Sequence, residues 1–175
     1  PTAAFRSNTV CLGSPSQMTD ASNGNGNVVN GYQWDFLSNG TIDVTGTPNP
    51  NYTFPAYGIN AVSYTVSTTP VAGLTCSHST NTLTVYVDPN PVPDFTFVNH
   101  CINAQPNSFD ASGTTIAVGT NTNYAWAYGD GAVATGTNVS HAYATPATYN
   151  VTLTVTSNKG CVKNVVKQVE VYKKP

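Results

Sequence analysis

The sequence contains the same pattern twice, and this internal repeat limits the possible folds more than any other feature. The two copies agree in the pairs Phe5 and Phe95, Cys11 and Cys101, residues 19–22 and 109–112, Trp34 and Trp126, Val62 and Val151, Tyr64 and Leu153, Val66 and Val155, and Cys76 and Cys161. A repeat of this length is longer than a solenoid unit and fits one small domain per copy. We therefore expect two related domains that arose by duplication of one module.

A proline-rich segment separates the two copies. Residues 89–93 alternate proline with other residues, and proline cannot donate to a sheet ladder and holds the chain extended. We expect a linker there, between a first domain at residues 1–88 and a second at residues 94–175. With about 80 to 90 residues each, both lie in the size range of small domains with modest cores. Residues 172–175 resemble the start of a further linker, and we expect more modules to flank the chain.

The composition excludes several classes of partner. Charged residues make up 8% of the chain, and the net charge is -2 at pH 7. This charge offers no attraction for nucleic acid or for an anionic membrane surface. No apolar run approaches the roughly 20 residues that span a bilayer, and no leader precedes Pro1. We expect no nucleic-acid binding, no membrane insertion, and a mature region or excised fragment that is monomeric.

Alternating apolar and polar residues predict strands along the whole chain, with almost no helical signal. In residues 149–156 the apolar positions are separated by asparagine and threonine, which is typical of a half-buried strand. Turn signals at residues 23–24, 38–40 and 129–131 lie between such segments. About seven short strands per copy favour an antiparallel β-sandwich. We therefore predict an all-β chain with two sandwiches in tandem.

The four cysteines fall two per copy at matching places. The repeat favours the pairs Cys11 with Cys76 and Cys101 with Cys161, although four cysteines permit three connectivities. Each pair would close a loop of about 60 residues, worth roughly 3 to 4 kcal/mol in the chain-entropy model. We expect two intradomain disulfides and an oxidising location. Zinc is the alternative, but no CxxC spacing or paired histidine supports it.

Three segments of the second copy resemble the PKD family, the immunoglobulin-like modules first noted in polycystin and common in bacterial surface proteins. The family pattern is Trp-Asp-Phe-Gly-Asp-Gly, then His-x-Tyr, then Pro-Gly-x-Tyr-x-Val-x-Leu-x-Val. The matching segments are Trp126-Ala127-Tyr128-Gly129-Asp130-Gly131, His141-Ala142-Tyr143 and Pro146-Ala147-Thr148-Tyr149-Asn150-Val151-Thr152-Leu153-Thr154-Val155. Ala127 and Ala147 depart from the pattern. The resemblance covers residues 94–172.

The first copy resembles the family less closely. It keeps Trp34, Asp35 and Phe36, but residues 37–40 replace Gly-Asp-Gly, and Asn60 stands where the second copy has Tyr149. Its turn at residues 68–75 is also longer. The resemblance implies two Ig-like sandwiches in which these motif residues are structural.

The resemblance also implies a function. The paired cysteines resemble those of PKD repeats in secreted Bacteroidetes proteins, including adhesins and gliding-motility surface proteins. We expect a non-catalytic spacer or adhesion segment at the bacterial cell surface, without cofactor. Its expected partners are other domains of the same protein and cell-surface glycans or proteins. The alternatives are an accessory carbohydrate-binding module of a secreted polysaccharidase or protease, and a docking module for another protein.

Several aromatic residues are candidates for contacts with sugars. Trp34 and Trp126 could stack on sugars, but an aromatic residue two positions later favours a core face. Exposed tyrosines, such as Tyr52, Tyr57 and Tyr172, could contact glycans, and sandwich-edge packing is the alternative.

Metal sites and catalysis have weaker support. Asp130 between glycines could belong to a calcium loop, with Asp110, but a hairpin turn requires the same residues, and neighbouring carboxylates are few. For His78, His100 and His141 we expect structural or surface roles. A glycosidase would need two carboxylates facing one cleft, for which Asp35 and Asp43 are the nearest candidates. Because Asp35 belongs to the motif, we expect it to stabilise a turn, and we expect no enzyme.

Overall fold

The computed structural model describes residues 1–69, 74–102 and 105–173. The chain divides into two compact units, Pro1–Asp88 and Pro89–Pro175. The predicted fold class is confirmed, because the regular structure of the described residues consists of strands in both units. Among these residues there is no helix long and apolar enough to cross a membrane.

The first unit is a sandwich of a three-stranded and a five-stranded sheet. Its strands within the described residues are β1 (Phe5–Ser7), β2 (Val10–Cys11), β3 (Ser16–Asp20), β4 (Val29–Asp35), β5 (Val44–Thr45), β6 (Asn51–Tyr52), β7 (Gly58–Thr68) and β8 (Ser77–Asp88). The strand orders are β1-β3-β6 and β2-β8-β7-β4-β5. Neighbours are antiparallel, except that β2 runs parallel to the end of β8.

The second unit repeats this plan with a three-stranded and a four-stranded sheet. Its strands within the described residues are β9 (Thr96–Val98), β10 (Asn107–Asp110), β11 (Asn121–Ala127), β12 (Val133–Thr135), β13 (Asn138–His141), β14 (Thr148–Ser157) and β15 (Val162–Glu170). The strand orders are β13-β10-β9 and β12-β11-β14-β15, and all these pairs are antiparallel.

Each unit has its own aromatic core between its sheets. Trp34 is 0% exposed and Trp126 is 2% exposed, which rules out both as sugar-stacking surfaces. Each indole N–H still finds a partner, since Trp34 donates to the Thr47 carbonyl at 2.9 Å and Trp126 to the Gly136 carbonyl at 2.8 Å. The buried core residues are Ala3, Met18, Trp34, Phe36, Phe54, Val62, Tyr64, Val66, Val85 and Val87 in the first unit, and Phe95, Phe109, Ala111, Trp126, Tyr128, Tyr143, Val151, Leu153, Val155, Val169 and Val171 in the second.

The outer faces of the strands carry hydroxyl groups. In β14 the buried positions alternate with the half-buried Thr152, Thr154 and Thr156, as the period of two in a strand requires. In the first unit, the hydroxyls of Thr65 and Ser79 lie 2.7 Å apart across β7 and β8. These outer positions are therefore polar and uncharged.

Several strands differ from their predicted extent. By the same plan as in the second copy, the sequence predicts strands of the first copy at residues 61–67 and 82–87. In the structure they extend to Gly58–Thr68 and Ser77–Asp88, because backbone pairing continues past the last apolar residue. Short strands were predicted at residues 3–6 and 94–98, where the structure has β1 and β9. The short strands β5 and β12 had no prediction, since so short a segment shows no periodicity.

The structure describes the proline-rich segment at residues 89–93 and part of the longer turn of the first copy. Val92, inside the proline-rich segment, is bridged to Thr115 of the second unit by backbone hydrogen bonds of 2.8 and 3.2 Å. In the longer turn at residues 68–75, positions 70–73 lie outside the described residues.

Candidate functional site

The segment Gly129-Asp130-Gly131 forms the hairpin turn between β11 and β12. Gly129 has φ +86° and Gly131 has φ +97°, a region that glycine adopts without the penalty of other residues. A Cβ on Gly129 would also lie 2.8 Å from the carbonyl oxygen of Asn150. Asp130 Oδ1 accepts a hydrogen bond from the Ala132 amide at 3.0 Å. The three residues together make the turn.

Asp130 also binds His141, the last residue of β13. His141 Nε2 lies 2.6 Å from Asp130 Oδ2, and the imidazole stacks on Tyr128 with ring centroids 4.2 Å apart. Burial opposes ionisation of Asp130, but hydrogen bonds from His141 and from the Ala132 amide lower its pKa below the ordinary value. Asp130 lies in the hairpin of the four-stranded sheet, and His141 lies in β13 of the three-stranded sheet. The pair therefore connects the two sheets of the second unit.

Tyrosines continue this cluster into the core. Tyr143 packs edge-on against His141 at 4.6 Å, and its hydroxyl donates to the Tyr128 carbonyl at 3.0 Å. Tyr149 stacks on Tyr143 at 4.0 Å. The buried hydroxyl of Tyr128 has no hydrogen-bond partner among the described residues, and burial raises the pKa of Tyr128 and of Tyr143. Neutral, packed tyrosines of this kind stabilise the sandwich.

Asp35 and Asp43 organise a loop of the first unit. Asp35 is 4% exposed. Its Oδ1 accepts from the Asn39 amide at 3.1 Å and its Oδ2 from the Gly40 amide at 2.8 Å. Asp43 Oδ2 accepts from the Phe36 amide at 2.8 Å. Both carboxylates are thus engaged by backbone N–H groups of one loop, an arrangement that stabilises the loop.

The other candidate ligands also lie in separate surroundings. His78 Nδ1 accepts from the Ala3 amide at 3.1 Å in the first unit. Asp110 accepts from the Ser112 amide at 2.8 Å, in a turn. No group of three or more His, Cys, Asp or Glu side chains in the described parts of the chain is arranged to hold a metal ion.

The predicted disulfide pairs are wrong. Cys76 and Cys101 are free thiols, whereas Cys11 and Cys161 are disulfide-bonded. In the first unit, Cys11 is paired with Asp88, the last residue of β8, while Cys76 directly precedes the first residue of β8. The 12 residues of β8 span roughly 40 Å at about 3.3 Å per residue. A disulfide requires Cα atoms within about 7 Å of each other.

The second unit has the same geometry. The amide of Ile102, next to Cys101, donates to the Tyr172 carbonyl at 3.0 Å, beyond the end of β15. Cys161 directly precedes β15, whose 9 residues span roughly 30 Å. The two cysteines of each unit therefore lie near opposite ends of its last strand. Matching sequence positions indicate equivalent places in two units, but they carry no information about the distance between two places in one unit.

A cleft of about 230 Å³ lies beside Cys101 in the second unit. Sequence reasoning missed it, because its lining residues come from distant parts of the chain. Asn107 lines this cleft and is 3% exposed. Its Oδ1 accepts from the His100 amide at 2.8 Å, but its Nδ2 has no hydrogen-bond partner among the described residues. The cleft therefore contains one donor that a second molecule or segment could satisfy.

A polar groove lies on the outer face of the first unit. Its floor is open because Gly31 has no side chain, and a Cβ there would lie 2.0 Å from the Ser67 hydroxyl. The groove-lining side chains with hydroxyl or amide groups are Tyr32, Gln33, Thr45, Thr65, Ser67 and Ser77.

The three candidate tyrosines lie in different surroundings. Tyr52 stacks on the core residue Phe36 at 4.2 Å. Tyr57 in the first unit and Tyr172 in the second are exposed. Neither of these exposed tyrosines lines the polar groove.

Known proteins resemble this chain over about half of its length or over nearly all of it. No curated protein matches the sequence. Similar solved structures include the PKD1 domain of Vibrio anguillarum Epp, with 24% identity, TM-score 0.46 and coverage of 50% of this chain and 99% of that chain. The PKD1 domain of the Vibrio cholerae metalloprotease PrtV has 24% identity, TM-score 0.44 and coverage of 48% and 99%. A carbohydrate-binding module structure from the β-sandwich superfamily has 30% identity, TM-score 0.46 and coverage of 48% and 35%. Residues 88–172 match the PKD domain family, and the second unit is a PKD-like domain.

Proposed function

We propose that this chain is a non-catalytic spacer and adhesion segment of a larger extracellular protein. The finer proposal is a bacterial cell-surface protein of the adhesin or gliding-motility type found in Bacteroidetes. The observation that carries the proposal is a backbone connection between an early segment and the end of each unit, which suits a segment that transmits tension.

In the first unit, the chain begins near one end of the last strand and leaves at the other. Ala3 donates to His78 near the start of β8, and the unit ends at Asp88. Close to this exit, β2 runs parallel to β8, and the Leu12 amide donates to the Asp88 carbonyl at 2.8 Å. When the disulfides of Cys11 and Cys161 are reduced, tension between the two ends of the unit loads these parallel hydrogen bonds along the strand direction, so that they must break together.

The second unit has the corresponding bond between Ile102 and Tyr172, at 3.0 Å. The same connection thus occurs in both copies of the repeat.

The non-catalytic part of the proposal is supported by the acidic residues. Asp35 and Asp43 bind backbone amides, and Asp130 binds a backbone amide and His141. General acid–base catalysis requires a carboxyl group that faces a substrate, and these carboxyl groups face their own loops.

The extracellular part of the proposal is supported by the disulfide-bonded state of Cys11 and Cys161. Disulfides form and persist mainly in oxidising compartments outside the cytosol.

The test is single-molecule pulling of the chain between its two ends in a reductant, so that the disulfides of Cys11 and Cys161 do not carry the force. Leu12→Pro removes the amide that donates to Asp88 and should lower the unfolding force of the first unit. Leu12→Ala is the matched control, because it loses the side chain and keeps the amide. Equal unfolding forces in the two variants would contradict a mechanical role for this strand pair.

A further inference from the structure

We propose that Cys76 and Cys101 are disulfide-forming positions, and that their partners are cysteines of further repeats of the same kind. We call Cys11 and Cys101 first-position cysteines, and Cys76 and Cys161 second-position cysteines. Cys76 forms a disulfide with a first-position cysteine of another repeat, and Cys101 forms one with a second-position cysteine. This inference rests on the proposed role as a segment of a larger protein.

Backbone hydrogen bonds establish that the positions are equivalent. Next to the first position, Leu12 donates to Asp88 at 2.8 Å and Ile102 donates to Tyr172 at 3.0 Å. At the second position, Thr68 donates to the Cys76 carbonyl at 3.0 Å, and Ser157 donates to the Cys161 carbonyl at 2.9 Å. The two units therefore hold each cysteine in the same local structure.

One cysteine of each position is disulfide-bonded and the other is a free thiol. Cys11 and Cys161 demonstrate that both local structures are compatible with a disulfide. Cys76 is exposed and Cys101 is half-buried. Neither thiol can reach the other cysteine of its own unit, which lies roughly 30 to 40 Å away along the last strand. A partner must come from outside that unit.

The cleft beside Cys101 indicates what this partner is. Its volume of about 230 Å³ is below the roughly 300 to 1,000 Å³ of typical small-molecule pockets, and it suits one or two protein side chains. The Nδ2 of the buried Asn107 lines this cleft, has no hydrogen-bond partner among the described residues, and requires an acceptor. A turn like Ser157–Cys161 of another repeat would supply both a backbone carbonyl and a cysteine.

The chemistry is oxidation of two thiols. The S–H bonds of Cys101 and of the incoming cysteine break, one S–S bond forms, and two electrons and two protons pass to an acceptor disulfide. The oxidant is a thiol–disulfide oxidoreductase or oxidised glutathione, whose own disulfide is reduced to two thiols.

The test uses an extended chain. Residues 1–172 are followed by a second copy of residues 89–175, so that the added Pro89 follows Tyr172 as Pro89 follows Asp88 in the natural chain. Lys163→Arg in the added copy distinguishes its Cys161 peptide by mass. After equilibration in a glutathione buffer, non-reducing peptide mapping should find Cys101 joined to the added Cys161, with Cys76 and the added Cys101 as free thiols.

The control variant is Cys101→Ser, which should leave the added Cys161 as a thiol that maleimide labels. The proposal is overturned if the added Cys161 stays reduced, or joins a cysteine other than Cys101, while Cys11 and Cys161 remain oxidised.

A second measurement uses the unextended chain and does not depend on folding of the added copy. A peptide of residues 157–163, activated as a mixed disulfide, should exchange with Cys101 at least tenfold faster than with Cys76, whereas activated glutathione should prefer the exposed Cys76. The same order of reactivity with both reagents would contradict the proposal. The Leu12 pulling experiment involves neither thiol, so the spacer role can hold even if this inference fails.

Discussion

At the residue scale, Tyr128 and Tyr143 make opposite contributions to the stability of the second unit. The Tyr143 hydroxyl donates to the Tyr128 carbonyl at 3.0 Å. The buried Tyr128 hydroxyl has no partner among the described residues. A buried hydroxyl without a partner costs about 1 to 3 kcal/mol, whereas a satisfied hydrogen bond contributes about 1 kcal/mol.

Replacing each tyrosine by phenylalanine should therefore change stability in opposite directions. Tyr128→Phe should raise the free energy of unfolding of the second unit by about 1 kcal/mol, and Tyr143→Phe should lower it by about 1 kcal/mol. Urea unfolding of the full chain, followed by tryptophan fluorescence, measures both. If the free energy of unfolding changes with the same sign in the two variants, the hydroxyl contacts do not determine the change.

The sequence predicts residue roles where a local pattern sets them. An aromatic residue two positions after Trp34 and Trp126 placed both tryptophans on the core face, and the structure confirms their burial. The missing partner of Tyr128 follows from no pattern, because it depends on side chains from several distant strands.

At the scale of elements, the contact between Asp130 and His141 joins the β11–β12 hairpin to β13. The hairpin belongs to the four-stranded sheet and β13 to the three-stranded sheet. Hydrogen bonds to the ionised carboxylate lower the pKa of Asp130 despite its burial. Such a lowered pKa stabilises the folded state above the unfolded-state pKa of about 4, and this stabilisation is lost as the pH falls through the folded-state pKa.

We therefore expect the thermal midpoint of the second unit to fall as the pH is lowered below about 4. Asp130→Asn should weaken this dependence, because its side chain does not ionise. His141→Phe should have the same effect, because it keeps the ring on Tyr128 but removes the hydrogen bond. Thermal melts between pH 2 and 7 measure how the midpoint depends on pH. If this dependence is as steep in both variants as in the original chain, the acid sensitivity belongs to other groups.

Long strands were predictable from the sequence, whereas strands of two residues were not. The alternation in residues 149–156 predicted a strand, which the structure has at Thr148–Ser157. Strands β2, β5 and β6 contain two residues each and exist because longer neighbours offer them backbone partners. Their formation depends on tertiary structure, so no local signal precedes it.

At the scale of the whole molecule, spacing and glycan binding make different demands on the surface. Glycan-binding sites commonly present aromatic rings for stacking, but Trp34 and Trp126 are buried and Tyr52 packs on the core. The polar groove of the first unit offers hydroxyl and amide groups.

We expect the full chain to show no saturable binding to chitin, cellulose or host glycans. Pull-down over a range of protein concentrations measures this, and the matched variant is Gln33→Ala, which alters the groove. Saturable binding that Gln33→Ala abolishes would instead support the accessory carbohydrate-binding role.

The repeat predicted the fold of the whole chain but not its cross-links. Two copies of one pattern are sufficient to predict two sandwiches, because each copy contains a complete set of core strands. The disulfide pairing failed for a geometric reason, since Cys11 and Cys76 lie at opposite ends of β8. That separation depends on the length of β8, which was predicted from the sequence to be shorter than the 12 residues that the structure has.

The hydroxyl-covered outer faces have a consequence for the environment in which the protein works. Lys167 with Asp94 and His141 with Asp130 are the ion pairs within the described residues, and Thr152, Thr154 and Thr156 occupy outer positions where many proteins have charged side chains. Dissolved salt acts on proteins largely by screening charges. A segment with so few of them should keep the same stability in fresh water and in seawater.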